Sequence, residues 1–160
     1  MINNLTKDYR QSFYFSLNSA IITVFGLLVG ITRVTNNYNI IIISVLSLAV
    51  SDSIADGFSI YISKKAENPN DKSNKPLNSL IITTIIKFIT IISFLFPFLF
   101  SKNINYFNNL LWPIIWSLIL IVFLDYNLTE LRNEQKGKYF ILQIIIMTVI
   151  VFLINIFNKK

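Results

Sequence analysis

Two aspartates four residues apart, Asp52 and Asp56, stand in the stretch SLAVSDSIADGFSIYISKK, residues 47–65. On a helix this spacing stacks both carboxylates on one face, one turn apart. The stretch continues an apolar run, and an ionisable side chain inside a membrane span is costly enough to be read first as functional. Paired carboxylates there can hold a cation or a proton; equally, they can serve only to pair with neighbouring helices. The rest of this helix surface is small. Ser47, Ser51, Ala55 and Ser59 form one ladder, and Ala49, Ser53 and Gly57 another. Lipid favours neither acid nor small residues, so this helix is expected to be surrounded by protein or to face a polar path.

One cation is available inside the apolar sequence, Lys87 in TTIIKFITIISFLFPFLF. It lies some seven residues past the inner end of its span, or about 10 Å deep at a rise of about 1.5 Å per residue. The preceding span runs the other way and brings Asp56 and Asp52 to comparable depth. Two placements fit Lys87. It pairs with Asp56 or Asp52, neutralising charge that lipid would not tolerate, or it snorkels to the inner headgroups.

These residues need spans to position them. A crossing takes about 20 mostly apolar residues, and five stretches qualify: 13–34, 38–62, 80–100, 110–126 and 139–157. The chain is therefore expected to be an all-α integral membrane bundle of five transmembrane helices, a single domain over residues 1–160. The connections are short, with Pro69 and Pro76 in a polar loop. Nine basic residues fall on one side of such a bundle and four on the other. The positive-inside rule then puts the N-terminus in the cytoplasm and the C-terminus outside or in a lumen. Pro97 is expected to bend or end the third span, and Pro113 to start the fourth. Asp125 falls near the inner surface, facing the polar path or solvated among headgroups. Gln143, Thr148 and Asn155 are expected to hydrogen-bond between helices.

Composition agrees. Hydrophobic residues make up 54% of the chain and charged residues only 14%, against about a quarter charged in soluble domains; mean hydropathy is +0.60. The net charge of +6 does not point to nucleic acid, because the basic residues sit in short loops where topology explains them. Lipid is the expected surrounding. There is no Cys and no His, which excludes thiol chemistry, disulfides, imidazole relays and the usual zinc ligands. Any metal must be held by oxygen, with thioether only at Met1 or Met147. With no nucleophile–base set and no phosphate-cradling glycine loop, the chain is not expected to be an enzyme. Gly26 and Gly30, four residues apart in FGLLVGI, with Gly57 on the second span, predict close packing of the first and second spans, with each other or with copies in a second subunit.

Over the first three spans the sequence resembles the vacuolar iron transporter family. NSAIITVFGLLVG is similar to that family's opening element, with Asn18, Thr23, Phe25, Gly26 and Gly30 in step. DSIADGFSIYISKKAE is similar to the end of its second span, with Tyr61, Ser63, Lys65 and Glu67 in step, and SFLFPFLF to the end of its third. Spans four and five agree only in count and length. The resemblance implies a five-span homodimeric antiporter exchanging Fe2+ or Mn2+ for protons. The departures are specific. The family's first-span acid falls on Ser19, its second-span methionine on Asp56 and a further acid near Leu48, and only the loop of residues 63–79 stands where plant-type members carry cytoplasmic metal-binding helices.

On this reading the site is rebuilt around Asp52 and Asp56. Carboxylate is a harder ligand than thioether, favouring Fe2+, Mn2+ or Mg2+ over softer ions. If spans one and two of two copies line a common path, four carboxylates meet there, and they hold their charges together only with cations or protons among them. Asn18, Ser19, Thr23, Ser53 and Ser59 are the auxiliary oxygen ligands, and Lys87 is a competitor or internal counter-ion. The alternative is a non-transporting membrane scaffold or regulatory subunit, in which an Asp–Lys pair is structural. Direct contact of Lys87 with the aspartates favours the second reading; open carboxylates on a two-fold axis favour the first.

Overall fold

The structure is a computed structural model describing residues 7–67, 69, 73–96, 106–132 and 137–157. Its elements are five helices: α1 (Lys7–Val34), α2 (Tyr38–Glu67), α3 (Lys75–Ser93), α4 (Tyr106–Arg132) and α5 (Lys138–Phe157). All five are long and apolar enough to cross a membrane, and there is no strand among the described residues. The all-α five-helix bundle expected from the hydropathy pattern is the observed architecture.

The helices outrun the apolar segments at the polar ends. α1 begins at Lys7, and α2 continues to Glu67 with Lys64 and Lys65 in its last turn. Lysines there complement the negative end of the helix dipole, so backbone bonding continues past the point where hydrophobicity stops. The helix α3 starts earlier than the apolar run and stops sooner. Pro76 sits in its first turn, where its missing N–H is no loss. At the far end the Phe94 and Leu95 amides donate to the Ile91 and Ile92 carbonyls, a three-residue tightening that closes the helix. Pro97 lies outside the described residues. Pro113 does not start α4: the helix runs through it from Tyr106.

α1 is the central helix and packs against all four others, while α3 lies wedged between α1 and α2. Two apolar clusters follow. One joins α1, α2 and α3 toward the ends where α1 and α3 finish, through Val24, Leu28, Val45, Ala49, Ile91 and Phe94. The other joins α1 to α4 and α5 through Ile21, Phe25, Val29, Ile121, Leu124 and Met147. The outward faces of α2 to α5 carry exposed Ile, Leu, Val and Phe, the surface expected where lipid replaces water.

Within one chain, the three glycines expected at close helix contacts differ. Neither Gly26 nor Gly30 brings α1 against α2: a Cβ at Gly26 would meet Ile150 of α5 at 3.7 Å, and one at Gly30 would meet nothing within 4 Å. Gly57 is the close approach. A Cβ there would clash with the Thr84 hydroxyl and stand 3.1 Å from the Leu80 carbonyl, so α2 reaches α3 only because residue 57 has no side chain. The ladder Ala49, Ser53, Gly57 is accordingly buried, whereas Ser47, Ser51, Ala55 and Ser59 face outward. Protein therefore surrounds one small face of α2 and leaves the other open.

Candidate functional site

Three helices deliver the site to one level. From the start of α3, Lys87 is twelve residues along; from the start of α1, Ser19 is also twelve along; from the end of α2, Asp56 is eleven back. All three ends lie on the same side of the bundle, so these side chains meet at one level, about 17 Å along the helices from those ends.

Lys87 is completely buried. Its ammonium is ion-paired with Asp52 Oδ2 at 2.7 Å and with Asp56 Oδ2. It also donates to Ser19 Oγ at 2.9 Å, and Ser19 Oγ donates to Asp56 Oδ2 at 2.9 Å. An ammonium has three protons, and this one faces one hydroxyl and two carboxylates. The aspartates are not equivalent. Asp56 accepts hydrogen bonds from both Lys87 and Ser19, whereas Asp52 Oδ2 has the ion pair without hydrogen-bond geometry. Both carboxylate side chains remain 22% exposed, while the lysine does not. The cluster, two acids and one base, has a formal charge of −1 and is reached from its carboxylate side.

Lys87 thus pairs with both aspartates rather than snorkelling. It can do so because it lies deep along α3 and because Gly57 lets α2 close on that helix. Asp52, Asp56, Lys87 and Ser19 are brought together. The other expected residues are not. Asn18 is half-buried and takes no part in the hydrogen bonds of the cluster. Thr23 spends its hydroxyl on the Ser19 and Ala20 carbonyls of its own helix. Ser59 is exposed and bonds to the Ala55 carbonyl. Ser53 is fully buried next to Asp52 in sequence, but its hydroxyl has no hydrogen-bond partner among the described residues.

Two residues of this region are additions to the sequence reading. Ser79 and Thr83 stand eight and four residues before Lys87 on the same face of α3, both fully buried. Their four-residue spacing from the lysine was the available signal. Elsewhere, Asp125 is neither in the polar path nor solvated. It is buried and accepts from the Gly137, Tyr139 and Phe140 amides at 2.9–3.2 Å, capping the start of α5 in place of the side chain that Gly137, at φ 88°, lacks. Asn155 does bridge helices, accepting from Arg33 of α1. Thr148 instead bonds within α5, and the Gln143 amide nitrogen finds no hydrogen-bond partner among the described residues.

Among the described residues no three of His, Cys, Asp and Glu converge as a metal cage. Asp52 and Asp56 are the acidic pair, and the Lys87 ammonium is ion-paired with both. Compared with family models, with curated proteins and with solved structures, the chain has no match.

Proposed function

We propose that the chain is a membrane transporter that exchanges a divalent metal ion, Fe2+ or Mn2+, for protons at Asp52 and Asp56, with Lys87 as a tethered cation holding the pair between turnovers. The observation that carries this reading is that both carboxylates facing the buried Lys87 ammonium remain partly exposed, 22% each. The cluster can exchange charge without building any up. A divalent ion brings two positive charges, so its entry leaves the cluster's charge unchanged when two protons leave. Metal in against two protons out is therefore the balanced cycle, and oxygen ligands suit hard or borderline ions.

The resemblance to the vacuolar iron transporter family supports the same reading in an altered form. Its acid would fall on Ser19 and its methionine on Asp56, and those two side chains are hydrogen-bonded to each other; the carboxylate has changed helices within one contact. A second copy supplying two more aspartates would complete the ligand set and cover the open small face of α2. The test is Mn2+ entry into proteoliposomes with proton release measured in parallel. Two protons per ion with the wild type supports the cycle; Mn2+ entry without proton movement rules it out.

A second reading is favoured by one specific observation: Lys87 contacts both carboxylates at once. On that view the triad is a strut in a non-transporting scaffold or regulatory subunit. Exchanging the charges (Lys87→Asp with Asp56→Lys) should then give a folded protein with unaltered behaviour, whereas transport requires the exchange to abolish flux.

A further inference from the structure

Arg33 is a cation without an anion. It stands in the last turn of α1, one residue before the helix ends at Val34, and so at the rim of the first span. A guanidinium presents five N–H donors in a fixed fork and no acceptor. Here one terminal nitrogen donates to Asn155 Oδ1 of α5, a neutral oxygen. Nε is buried with no hydrogen-bond partner, and Arg33 makes no ion pair among the described residues. The side chain as a whole is only half-buried.

The lack of an anion extends to this whole end of the bundle. Residues 35–37 and 94–105, which connect helices there, and residues 158–160 contain Lys102, Lys159 and Lys160 but neither Asp nor Glu. Asp8, Glu67, Asp71, Asp125, Glu130 and Glu134 fall by sequence toward the opposite end. Asp52 and Asp56 lie about 21 Å and 27 Å along α2 from its start at Tyr38, and both are ion-paired with Lys87. The carbonyl end of α1 offers Arg33 only about half a unit of negative charge. The remainder has to come from outside the chain.

Space for a ligand opens one turn below the guanidinium. Gly26, Gly30 and Arg33 follow one another on one face of α1, four and three residues apart. α1 and α5 touch at Gly26, where a Cβ would meet Ile150 at 3.7 Å, and again where Arg33 meets Asn155. Between these two contacts, at Gly30, a Cβ would meet nothing within 4 Å. Both glycines are partly exposed, so the gap faces outward.

We infer that this corner binds an anionic phospholipid, with its phosphate on Arg33 and an acyl chain against Gly30 between α1 and α5. Arginine matches phosphate oxygens with parallel N–H bonds, and Asn155 holds the guanidinium at the rim. A zwitterionic headgroup suits the site less, because its ammonium would find basic residues and no carboxylate. The gap beneath the cation lies within the apolar span, where an acyl chain fits and a free phosphate gains nothing. This goes beyond the proposed exchange at Asp52 and Asp56 and does not depend on it.

The test is native mass spectrometry of the delipidated full chain in detergent, titrated with phosphatidylglycerol and separately with phosphatidylcholine. The first phosphatidylglycerol should bind at least about tenfold more tightly than the first phosphatidylcholine, the scale of one charge-assisted contact. Arg33→Gln should abolish that preference and Arg33→Lys should keep most of it. Arg10→Gln, which removes a charge at the opposite end, should leave it intact. Gly30→Leu fills the gap but keeps the charge, and should weaken phosphatidylglycerol binding. Equal binding of the two lipids by the wild type would overturn the inference, and that comparison needs no variant to fold. So would a folded Arg33→Gln protein with the wild-type preference, or an Arg10→Gln protein without it. Displacement of the lipid by inorganic phosphate, or undiminished binding by Gly30→Leu, would contradict the acyl chain and with it the lipid. Mn2+ flux enters none of these measurements, so failure here and failure of the transport reading are separate results.

Discussion

Lys87, Asp52 and Asp56 are unequal partners, and their inequality can be measured. Asp56 holds two hydrogen bonds and Asp52 an ion pair without one. Hydrogen bonds to charged groups contribute about 1.5–3 kcal/mol. Asp56→Asn should therefore destabilise the detergent-solubilised protein by about 2 kcal/mol, and Asp52→Asn by clearly less, in paired denaturation curves. Equal losses would contradict the asymmetry. Lys87→Met removes the only ammonium between two acids and should cost about 3–5 kcal/mol, the range for breaking a buried pair by deleting one partner. A Lys87→Met protein as stable as wild type would mean that the aspartates do not depend on it. Asp125 is a third residue-scale case: its carboxylate satisfies amides at the start of α5, so Asp125→Ala should cost about 0.5–2 kcal/mol.

At the scale of the helix, α2 determines whether the cluster forms. It runs against α3 at a distance set by Gly57, and Asp56 is the residue before that contact. Gly57→Ala should clash with Thr84 and the Leu80 carbonyl, force the helices apart and cost about 1–3 kcal/mol. Adding Thr84→Ala should recover part of that loss, because the closest clash is with a removable hydroxyl. Gly26→Ala and Gly30→Ala should leave stability within about 0.5 kcal/mol, since neither new methyl meets a tight neighbour in this chain. Thermal unfolding of the four variants checks the set. Within one chain the glycine pair does not bring α1 against α2, because spacing marks a small face without naming what approaches it. The useful signal lay in the lone Gly57, flanked one turn away by Ser53, and in α3 the facing Leu80 and Thr84.

For the molecule as a whole, the five crossings were legible because apolar runs of about 20 residues have few alternatives to spanning a membrane. The helix ends were not, since α1 and α2 continue through polar residues where backbone bonding and the dipole outweigh hydropathy. That Lys87 is level with Asp56 and Asp52 was legible as depth matching on antiparallel helices; that it contacts both and does not snorkel was not. Ser19 was legible only as a ligand candidate, not as the bridge between acid and base, because nothing in a sequence gives the rotation of α1 about its axis. Thr23 and Ser59 looked alike as polar members and proved to be satisfied within their own helices. An odd number of crossings places the two termini on opposite sides. Fusions of a reporter at Met1 and at Lys160 should therefore be accessible from opposite faces of the membrane, with the Met1 fusion on the cytoplasmic face; both reporters on one face would contradict five spans.

The most direct measurement of the central claim is Mn2+ flux through the double variant Asp52→Asn, Asp56→Asn, compared with wild type in proteoliposomes carrying an imposed pH gradient, with folding checked by its unfolding transition. If the acids are the exchanging groups, the variant is folded and its flux falls to that of empty vesicles. A folded variant that carries Mn2+ at the wild-type rate would contradict the account.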